Sequence, residues 1–239
     1  MRTLLEGGMT APAACEAEST ATRSSRPRRA SFHRVEAGDR AGLEAEIRAL
    51  SERGDRDGAA TLAVRSYGPE LYGFLLALHT SRGDASDCFS QLCEVLWRKL
   101  PEFTWEHTLR SWAYAVARQV TRTHKRNAGR RLRREAPGEE SAIEAVAEAV
   151  RTATSPFLQT EKRKRLQALR DELPEDDRML LILRVDRKLE WIEIARVLSG
   201  EEAATDEASL KREAARLRKR FQIVKDRLRE MAKREGLTG

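Results

Sequence analysis

The chain has 239 residues, a net charge of +7 and a pI of about 9.6, and charged residues make up 35% of it while aromatic residues make up 5%. This composition fits a helical protein with an anionic partner better than an enzyme with a large core. No run approaches the roughly 18 apolar residues that span a bilayer, and no apolar signal segment opens the chain, so we expect a cytoplasmic protein with no membrane partner.

The cysteines and histidines form no metal or redox motif. Cys88 and Cys93 are five residues apart, which is neither CxxC nor a known ligand spacing, and we expect both to be small core side chains. The histidines at 33, 79, 107 and 124 show no HExxH pattern. The sequence therefore predicts no metal site and no cofactor.

The first 38 residues are rich in Ala, Ser, Thr, Glu and Arg and carry no hydrophobic periodicity. Such a composition predicts a disordered tail over 1–38. The sequence leaves open whether translation starts at Met1 or at Met9. The segment 39–134 is predicted to be the first domain, because helical periodicity begins there.

The first helices of this domain follow from apolar spacing. Leu43, Ile47 and Leu50 recur at spacings of four and three, which is typical of one face of a helix. A second helix is predicted over about 57–66, ending near Pro69, since proline disrupts a helix interior. A third helix is predicted to follow from about residue 70.

The segment 84–99 predicts a helix with two distinct faces. Asp84 is a candidate N-cap. Asp87, Gln91 and Glu94 share one face at spacings of four and three, and we call them the polar ridge. The inward face is predicted to comprise Cys88, Leu92, Val95 and Leu96. The break at Pro101 then leads into the loop "FTWEHT".

The helix predicted from residue 110 begins apolar and ends strongly basic. Trp112, Val116 and Val120 can pack inward, whereas 118–134 contains eight Lys or Arg and no acid. A solvated surface is one explanation of such a run. The other is a helix that is anchored in a core at one end and lies against a polyanion at the other.

A change of composition separates this domain from the next. The segment 135–150 contains five Glu and no base, so we expect an acidic linker over 135–159. A second helical domain is predicted over 160–239, ending in a long basic helix from about residue 207. The sequence thus predicts an all-α protein with two small helical domains on a flexible linker, and the family resemblance described next implies that the second is a helix-turn-helix domain.

Four segments together resemble bacterial RNA polymerase sigma factors of the extracytoplasmic-function (ECF) type. They are "YGPELYGFLLAL", "DASDCFSQLCEVLWRKLPEF", "TLRSWAYAVARQVTRTHKR" and "LPEDDRMLLILRVDRKLEWIEIARVL", in the order that this family shows. Gln119 stands where the family usually has Asn, and the turn before the last helix is several residues longer than a helix-turn-helix turn. The resemblance implies a protein that binds core RNA polymerase and directs it to promoters.

The resemblance also implies functional residues. Binding to the clamp helices of the polymerase β′ subunit is implied for Asp84, Asp87, Gln91 and Glu94. Contact with the −10 promoter element, and assistance in melting it, is implied for Phe103, Trp105, His107, Arg110, Arg118, Gln119, Arg122, Lys125 and Arg126. Reading of the −35 element is implied for Ser209, Lys211, Arg212, Ala215 and Arg216, which lie where a recognition helix reaches base edges. The β flap and an anti-sigma factor are the other partners that the family implies.

Two competing functions follow from the same residues. A stand-alone helix-turn-helix regulator would bind duplex DNA without polymerase, but it would not need the polar ridge or an aromatic loop. An enzyme would need a phosphate loop, a nucleophile elbow or clustered acids, and the sequence contains none of these motifs. The acidic linker is open to two interpretations, a soluble tether or a mimic of the transcript in the polymerase exit path.

Overall fold

A computed structural model describes residues 39–127, 142–154, 161–200 and 206–236 of the chain. All regular structure in these ranges is helical, which confirms the predicted all-α class. The helices are α1 (Arg40–Glu52), α2 (Arg56–Leu78), α3 (Arg82–Lys99), α4 (Leu109–Asn127), α5 (Ala142–Thr154), α6 (Glu161–Asp171), α7 (Glu175–Leu181), α8 (Trp191–Ser199) and α9 (Glu207–Arg234). A 3-10 turn at Leu100–Glu102 ends α3, and a π-helical turn at Ile182–Asp186 continues α7.

Helix α2 lies at the centre of the first helical group, which comprises α1 to α5. It packs against α1, α3, α4 and α5. Its aromatic side chains are fully buried, and the Phe74 ring meets the Tyr114 ring edge-on at a centroid distance of 5.1 Å. The Tyr72 ring contacts the Phe89 ring of α3 at a centroid distance of 5.1 Å, with the ring planes tilted by 46°. These side chains fix α3 and α4 against α2 and so position the surfaces that both helices expose.

The predicted break at Pro69 is wrong, because α2 runs without interruption through this residue. An interior proline costs about 3 kcal/mol, since it removes one backbone hydrogen bond and crowds the preceding turn. Val64, Leu71 and Phe74 on either side are buried, and each contributes roughly 1.5–3 kcal/mol. Packing of the flanking residues therefore outweighs the local penalty.

The start of α3 also differs from the sequence prediction. Ser81 is the N-cap, and its hydroxyl accepts a hydrogen bond from the Asp84 backbone N–H at 3.3 Å. Asp84 instead lies in the first turn, where its carboxylate pairs with His124 Nε2 at 2.9 Å. The inward face agrees with the prediction, because Cys88, Leu92 and Leu96 are all buried.

A helix forms within the segment predicted as an acidic linker. Ala147 and Val150 of α5 are fully buried against α2 and α3. The close approach depends on Gly68, since a Cβ there would lie 3.1 Å from a Val150 methyl group. Arg151 adds polar contacts, donating to the Ser90 hydroxyl at 3.0 Å and to Glu144 at 2.7 Å. Residues 142–154 are therefore part of the first helical group.

The second helical group comprises α6 to α9. A capping box between Glu190 and Glu193 precedes helix α8. Asp206 is the N-cap of α9, and its carboxylate accepts hydrogen bonds from the backbone N–H groups of Ala208 and Ser209. The predicted inward stripe of α9 is buried, and it consists of Leu210, Ala214, Leu217, Phe221 and Val224. Trp191 of α8 meets Phe221 edge-on at 5.5 Å and joins the two helices.

The two helical groups share one continuous hydrophobic core. Helix α8 packs against α4, and the π-helical turn brings Arg187 over α2. A Cβ at Gly73 would lie 2.8 Å from the Arg187 guanidinium, so any residue other than glycine at this position would require the arginine side chain to shift. The second group thus lies directly on helices of the first.

Candidate nucleic-acid interface

The polar ridge of α3 is exposed along its length. The side chains of Asp87, Gln91 and Glu94 all lie at the surface, as their spacing predicts. Asp84 differs from them, because it is half-buried and paired with the buried imidazole of His124. The structure therefore presents three of the four predicted polymerase-binding residues together on one face and assigns Asp84 a packing contact with α4.

The loop between α3 and α4 is a compact aromatic cluster. Phe103 is 9% exposed and stacks on His107, with ring centroids 5.1 Å apart and planes 21° apart. Its ring also contacts Trp112 at 5.1 Å and Trp105 at 5.0 Å. Trp105 adopts a positive φ of 61°, which is uncommon for a bulky residue and fixes its indole beside Phe103. Phe103, Trp105 and His107 are thus brought together, with Trp105 and His107 only partly buried.

Arg110 is not a surface cation, which corrects its expected role in DNA contact. Its side chain is 4% exposed and donates to both Glu70 carboxylate oxygens, at 2.6 and 2.8 Å. It also donates to the backbone carbonyl oxygen of Arg187 at 2.8 Å. Because its donors are satisfied inside the protein, Arg110 joins α4 to α2 and to the second helical group.

The remaining predicted residues of α4 form one basic face. Gln119, Arg122, Lys125 and Arg126 are exposed, and Arg118 is half-buried. Burial lowers the pKa of Arg118, and the neighbouring Arg122 lowers it further, because both disfavour another positive charge. We call Arg118, Arg122 and Lys125 the basic face of α4. The cluster at 130, 131, 133 and 134 that extends the basic run lies outside the described residues.

The second helical group covers part of this basic face. Lys125 Nζ lies 2.8 Å from a Glu175 carboxylate oxygen at the start of α7. Glu175 and Asp176 raise the pKa of Arg118 and so partly offset its burial. A cavity of about 380 Å³ remains between α4, α7 and α9, lined by the three cations together with Glu175, Asp176 and Arg220.

The second helical group also contacts the chain just before the N-terminus of α4. The Thr108 hydroxyl donates to Glu193 of α8 at 2.9 Å, directly after the aromatic loop. Ile192, Arg196 and Leu210 of the second helical group line a cavity with Phe103, His107 and Trp112. Sequence reasoning missed these facing residues, because their role depends on tertiary contacts between segments more than 80 residues apart.

The predicted recognition residues lie together on the first three turns of α9. Lys211, Arg212, Ala215 and Arg216 are exposed, and Ser209 is half-buried. Lys211 pairs with the Glu207 carboxylate at 2.8 Å, and Arg212 donates to the Ser209 hydroxyl at 2.8 Å. Hydrogen bonding to Glu207 raises the pKa of Lys211. Exposed pairs of this kind exchange readily for phosphate or base contacts.

The long turn before α9 is only partly described. Asp206 acts as the N-cap, as its position predicts, with hydrogen bonds to Ala208 N at 3.1 Å and Ser209 N at 2.9 Å. The Ser209 hydroxyl also donates to the Asp206 carboxylate at 2.7 Å. This bond and the two backbone bonds lower the pKa of Asp206. The acids at 201 and 202 lie outside the described residues.

Comparison with known proteins gives the class of this site. Residues 63–131 match the family described as Sigma-70 region 2. These residues span the larger part of α2, all of α3, the aromatic loop and α4. Within the first helical group, residues 63–131 therefore resemble sigma-70 region 2, which agrees with the sigma-factor resemblance that the motifs indicate.

A solved structure is also similar to the chain. It is the co-crystal structure of the sigma factor RpoE in complex with the anti-sigma factor NepR from Bartonella quintana. The identity is 17%, the TM-score is 0.42, and the alignment covers 66% of this chain and 91% of that chain. No curated protein matches the chain.

Two further properties apply to the described ranges. None of the helices there is both long and apolar enough to cross a membrane. In the same ranges, no group of three or more His, Cys, Asp or Glu side chains has the arrangement needed to hold a metal ion.

Proposed function

We propose that the protein is a sigma factor that binds core RNA polymerase and directs promoter-specific initiation of transcription. The observation that carries the proposal is the exposed polar ridge, Asp87, Gln91 and Glu94, on α3 of a region 2 domain. A ridge of acids and an amide suits a basic partner helix, because complementary charge steers docking and fixes register. We assign this ridge to the β′ clamp helices of the polymerase.

The aromatic loop and the basic face of α4 are proposed to hold the −10 element. Surfaces for single-stranded DNA combine cations along the backbone with aromatic side chains for unstacked bases. Trp105 and His107 supply partly exposed rings, and Arg118, Arg122 and Lys125 supply the charge. Arg110 supports this surface from inside through its ion pair with Glu70.

The start of α9 is proposed to read the −35 element. In a helix-turn-helix domain, the first turns of the second helix reach base edges in the major groove. Lys211, Arg212 and Arg216 are exposed on those turns, and arginine is the commonest side chain that reads guanine. The domain plan, with region 2 within 39–134 and the helix-turn-helix within 160–239, is part of this proposal, as are the β flap and an anti-sigma factor as partners.

The runner-up function is a stand-alone regulator that binds duplex DNA without polymerase. The two functions differ in their use of α3. A regulator has no need of the polar ridge, whereas a sigma factor cannot act without a polymerase contact. Binding to core polymerase therefore separates them.

The test is co-elution of the purified chain with core RNA polymerase. We expect the wild type to co-elute and Asp87→Arg with Gln91→Ala to bind at least tenfold more weakly, because reversing a docking charge costs more than 1.4 kcal/mol. Glu46→Arg makes the same change of charge at an exposed site of α1 and is the control. Circular dichroism checks that all three proteins are folded.

Two results would contradict the proposal. If the wild type fails to bind core polymerase but binds promoter duplex tightly by itself, the runner-up function of a stand-alone regulator is correct. If the ridge variant and the Glu46→Arg control bind polymerase equally well, the ridge is not the docking surface.

A further inference from the structure

The aromatic loop carries no Lys or Arg of its own. Between Lys99 and Arg110 the sequence has two acids, Glu102 and Glu106, and no basic residue other than a histidine. Arg110 itself is buried in its ion pair with Glu70. Surfaces that hold single-stranded DNA combine cations for the backbone with aromatic rings that stack on the bases. A cation beside these rings therefore has to come from another part of the fold.

Helix α1 places such a cation, Arg48, beside the loop. The guanidinium carbon of Arg48 lies 5.9 Å from the centre of the Trp105 ring, which is within the range of a cation–π contact. The Arg48 side chain is 53% exposed, and it pairs with Glu52 on the same helix at 2.7 Å. An ion pair this exposed contributes little to stability, so the arginine can exchange it for another anion. Arg48 is thus oriented by the ring and accessible from solvent.

Buried contacts hold α1 in this position. Ile47 is fully buried, and a Glu44 carboxylate oxygen accepts hydrogen bonds from the Tyr67 hydroxyl at 3.0 Å and the Arg110 backbone N–H at 3.1 Å. These bonds join α1 to α2 and to the start of α4. Helix α1 precedes the part of the chain that matches region 2, and yet it is packed onto that part. The position of Arg48 beside the loop is therefore set by the core.

Arg48 and the second helical group lie at different parts of the loop. The cavity that the loop shares with the second helical group is lined by Lys99, Phe103 and His107, whereas Trp105 does not line it. Arg48 contacts the Trp105 ring and is exposed in the same arrangement. A DNA strand that reaches Trp105 would therefore meet the Arg48 guanidinium there.

We propose that Arg48 binds a backbone phosphate of single-stranded promoter DNA, next to the base that stacks on Trp105. This inference rests on the proposed function and adds to the −10 surface a residue of α1, outside the part of the chain that matches region 2. A phosphate offers anionic oxygens like those of the Glu52 carboxylate, and arginine binds both groups through paired N–H donors. The phosphate would therefore replace Glu52 as the partner of Arg48 while the guanidinium stays beside the ring.

The test measures how tightly the holoenzyme, assembled from the full-length chain and core polymerase, binds a fluorescent single-stranded oligonucleotide. The oligonucleotide is selected from a random pool by the wild-type holoenzyme, with core polymerase alone as the counter-selection. We expect Arg48→Ala to bind roughly tenfold more weakly at low salt, because a charged hydrogen bond is lost. The slope of log affinity against log salt concentration should become shallower by about 0.7, which corresponds to one phosphate contact with a single strand. Arg48→Lys keeps the charge and should keep the slope.

Two further variants serve as controls. Arg53→Ala removes the same charge at an exposed position five residues further on, which lies on a different side of the α1 axis, and its slope should equal that of the wild type. Trp105→Ala removes a base stack but no charge, so it should weaken binding without changing the slope.

The salt slope decides between a phosphate contact and a purely structural role of Arg48. A weaker affinity of Arg48→Ala with an unchanged slope would show that the arginine only supports Trp105, and would overturn the proposal. Equal losses in Arg48→Ala and Arg53→Ala would overturn it as well, because they would reflect general charge. Both outcomes leave the proposed function intact. A wild type that does not bind core polymerase, or that selects no oligonucleotide beyond core polymerase alone, would contradict the proposed function and this inference together.

Discussion

His79 shows how one half-buried side chain can make stability depend on pH. It lies at the end of α2 beside Cys88 Sγ at 3.5 Å and Thr121 Oγ1 at 3.4 Å. Burial lowers its pKa to about 4, with Lys125 and His124 acting in the same direction and Asp84 and Glu175 opposing them. The unfolded chain, with an ordinary histidine pKa near 6.5, therefore binds more protons than the folded chain between about pH 6.5 and pH 4.

The sign of this linkage gives the first stability prediction. Stability that is present above about pH 6.5 is lost as the pH falls toward 4, because the folded state resists protonation of His79. We expect the free energy of unfolding to fall between about pH 7 and pH 5, and to fall less in His79→Gln. Urea denaturation followed by circular dichroism at both pH values measures it. Equal falls in the two proteins would show that His79 is not the group responsible.

The burial of individual residues could be predicted where it follows from their position on one face of a helix. The stripe of α9 was predictable from spacing alone, because Leu210, Leu217 and Val224 repeat with the helix period. The fate of Arg110 was not predictable, since its partner Glu70 is 40 residues away in the chain. No local pattern in the sequence distinguishes an arginine that faces DNA from one that is buried in an ion pair.

At the scale of elements, α5 is a packed helix where the composition of the sequence suggested only a linker. Five Glu and no base over 135–150 predicted an acidic linker. The helix nevertheless forms, because Ala147 and Val150 recur at a helical spacing and meet a groove at Gly68. A helix of 13 residues is marginal by itself in water, so its stability comes from this docking.

Docking of α5 gives a prediction at this scale. Val150→Asp should release the helix, since it places a charge in a site where the valine is fully buried and removes roughly 1.5–3 kcal/mol of burial. Hydrogen exchange should then show loss of amide protection over 142–154. Ala149→Asp adds the same charge at an exposed position of α5 and should keep the protection. Equal protection in both variants would mean that α5 is held by other contacts.

At the scale of the whole molecule, the sequence indicates two helical domains but not how they meet. Each domain follows from its own periodicity and motifs. The contact between them depends on pairs such as Lys125 with Glu175 and Thr108 with Glu193, which come from segments 50 and 85 residues apart. Local propensity carries no information on such pairs. The arrangement of the two domains therefore cannot be predicted from the sequence. The same holds for the accessibility of the basic face of α4, which depends on that arrangement.

This arrangement leads to a prediction about the assembled enzyme. If the second helical group must leave α4 before DNA can bind, the distance between α1 and α9 should increase when core polymerase is added. Donor and acceptor dyes at Glu46→Cys and Lys219→Cys report this distance, because both positions are exposed. Cys15→Ser removes one competing thiol, and Cys88 and Cys93 are buried, which also raises the pKa of Cys93.

We expect energy transfer between these dyes to fall when core polymerase is added. A second dye pair at Glu46→Cys and Arg65→Cys lies within the first helical group and should report no change, which controls for effects of the polymerase on the dyes. Adding Glu175→Gln should lower transfer at the first pair even without polymerase, because the ion pair between Lys125 and Glu175 no longer holds α7 on α4. Unchanged transfer at the first pair, in a complex that demonstrably contains polymerase, would show that the second helical group stays on α4 in the holoenzyme.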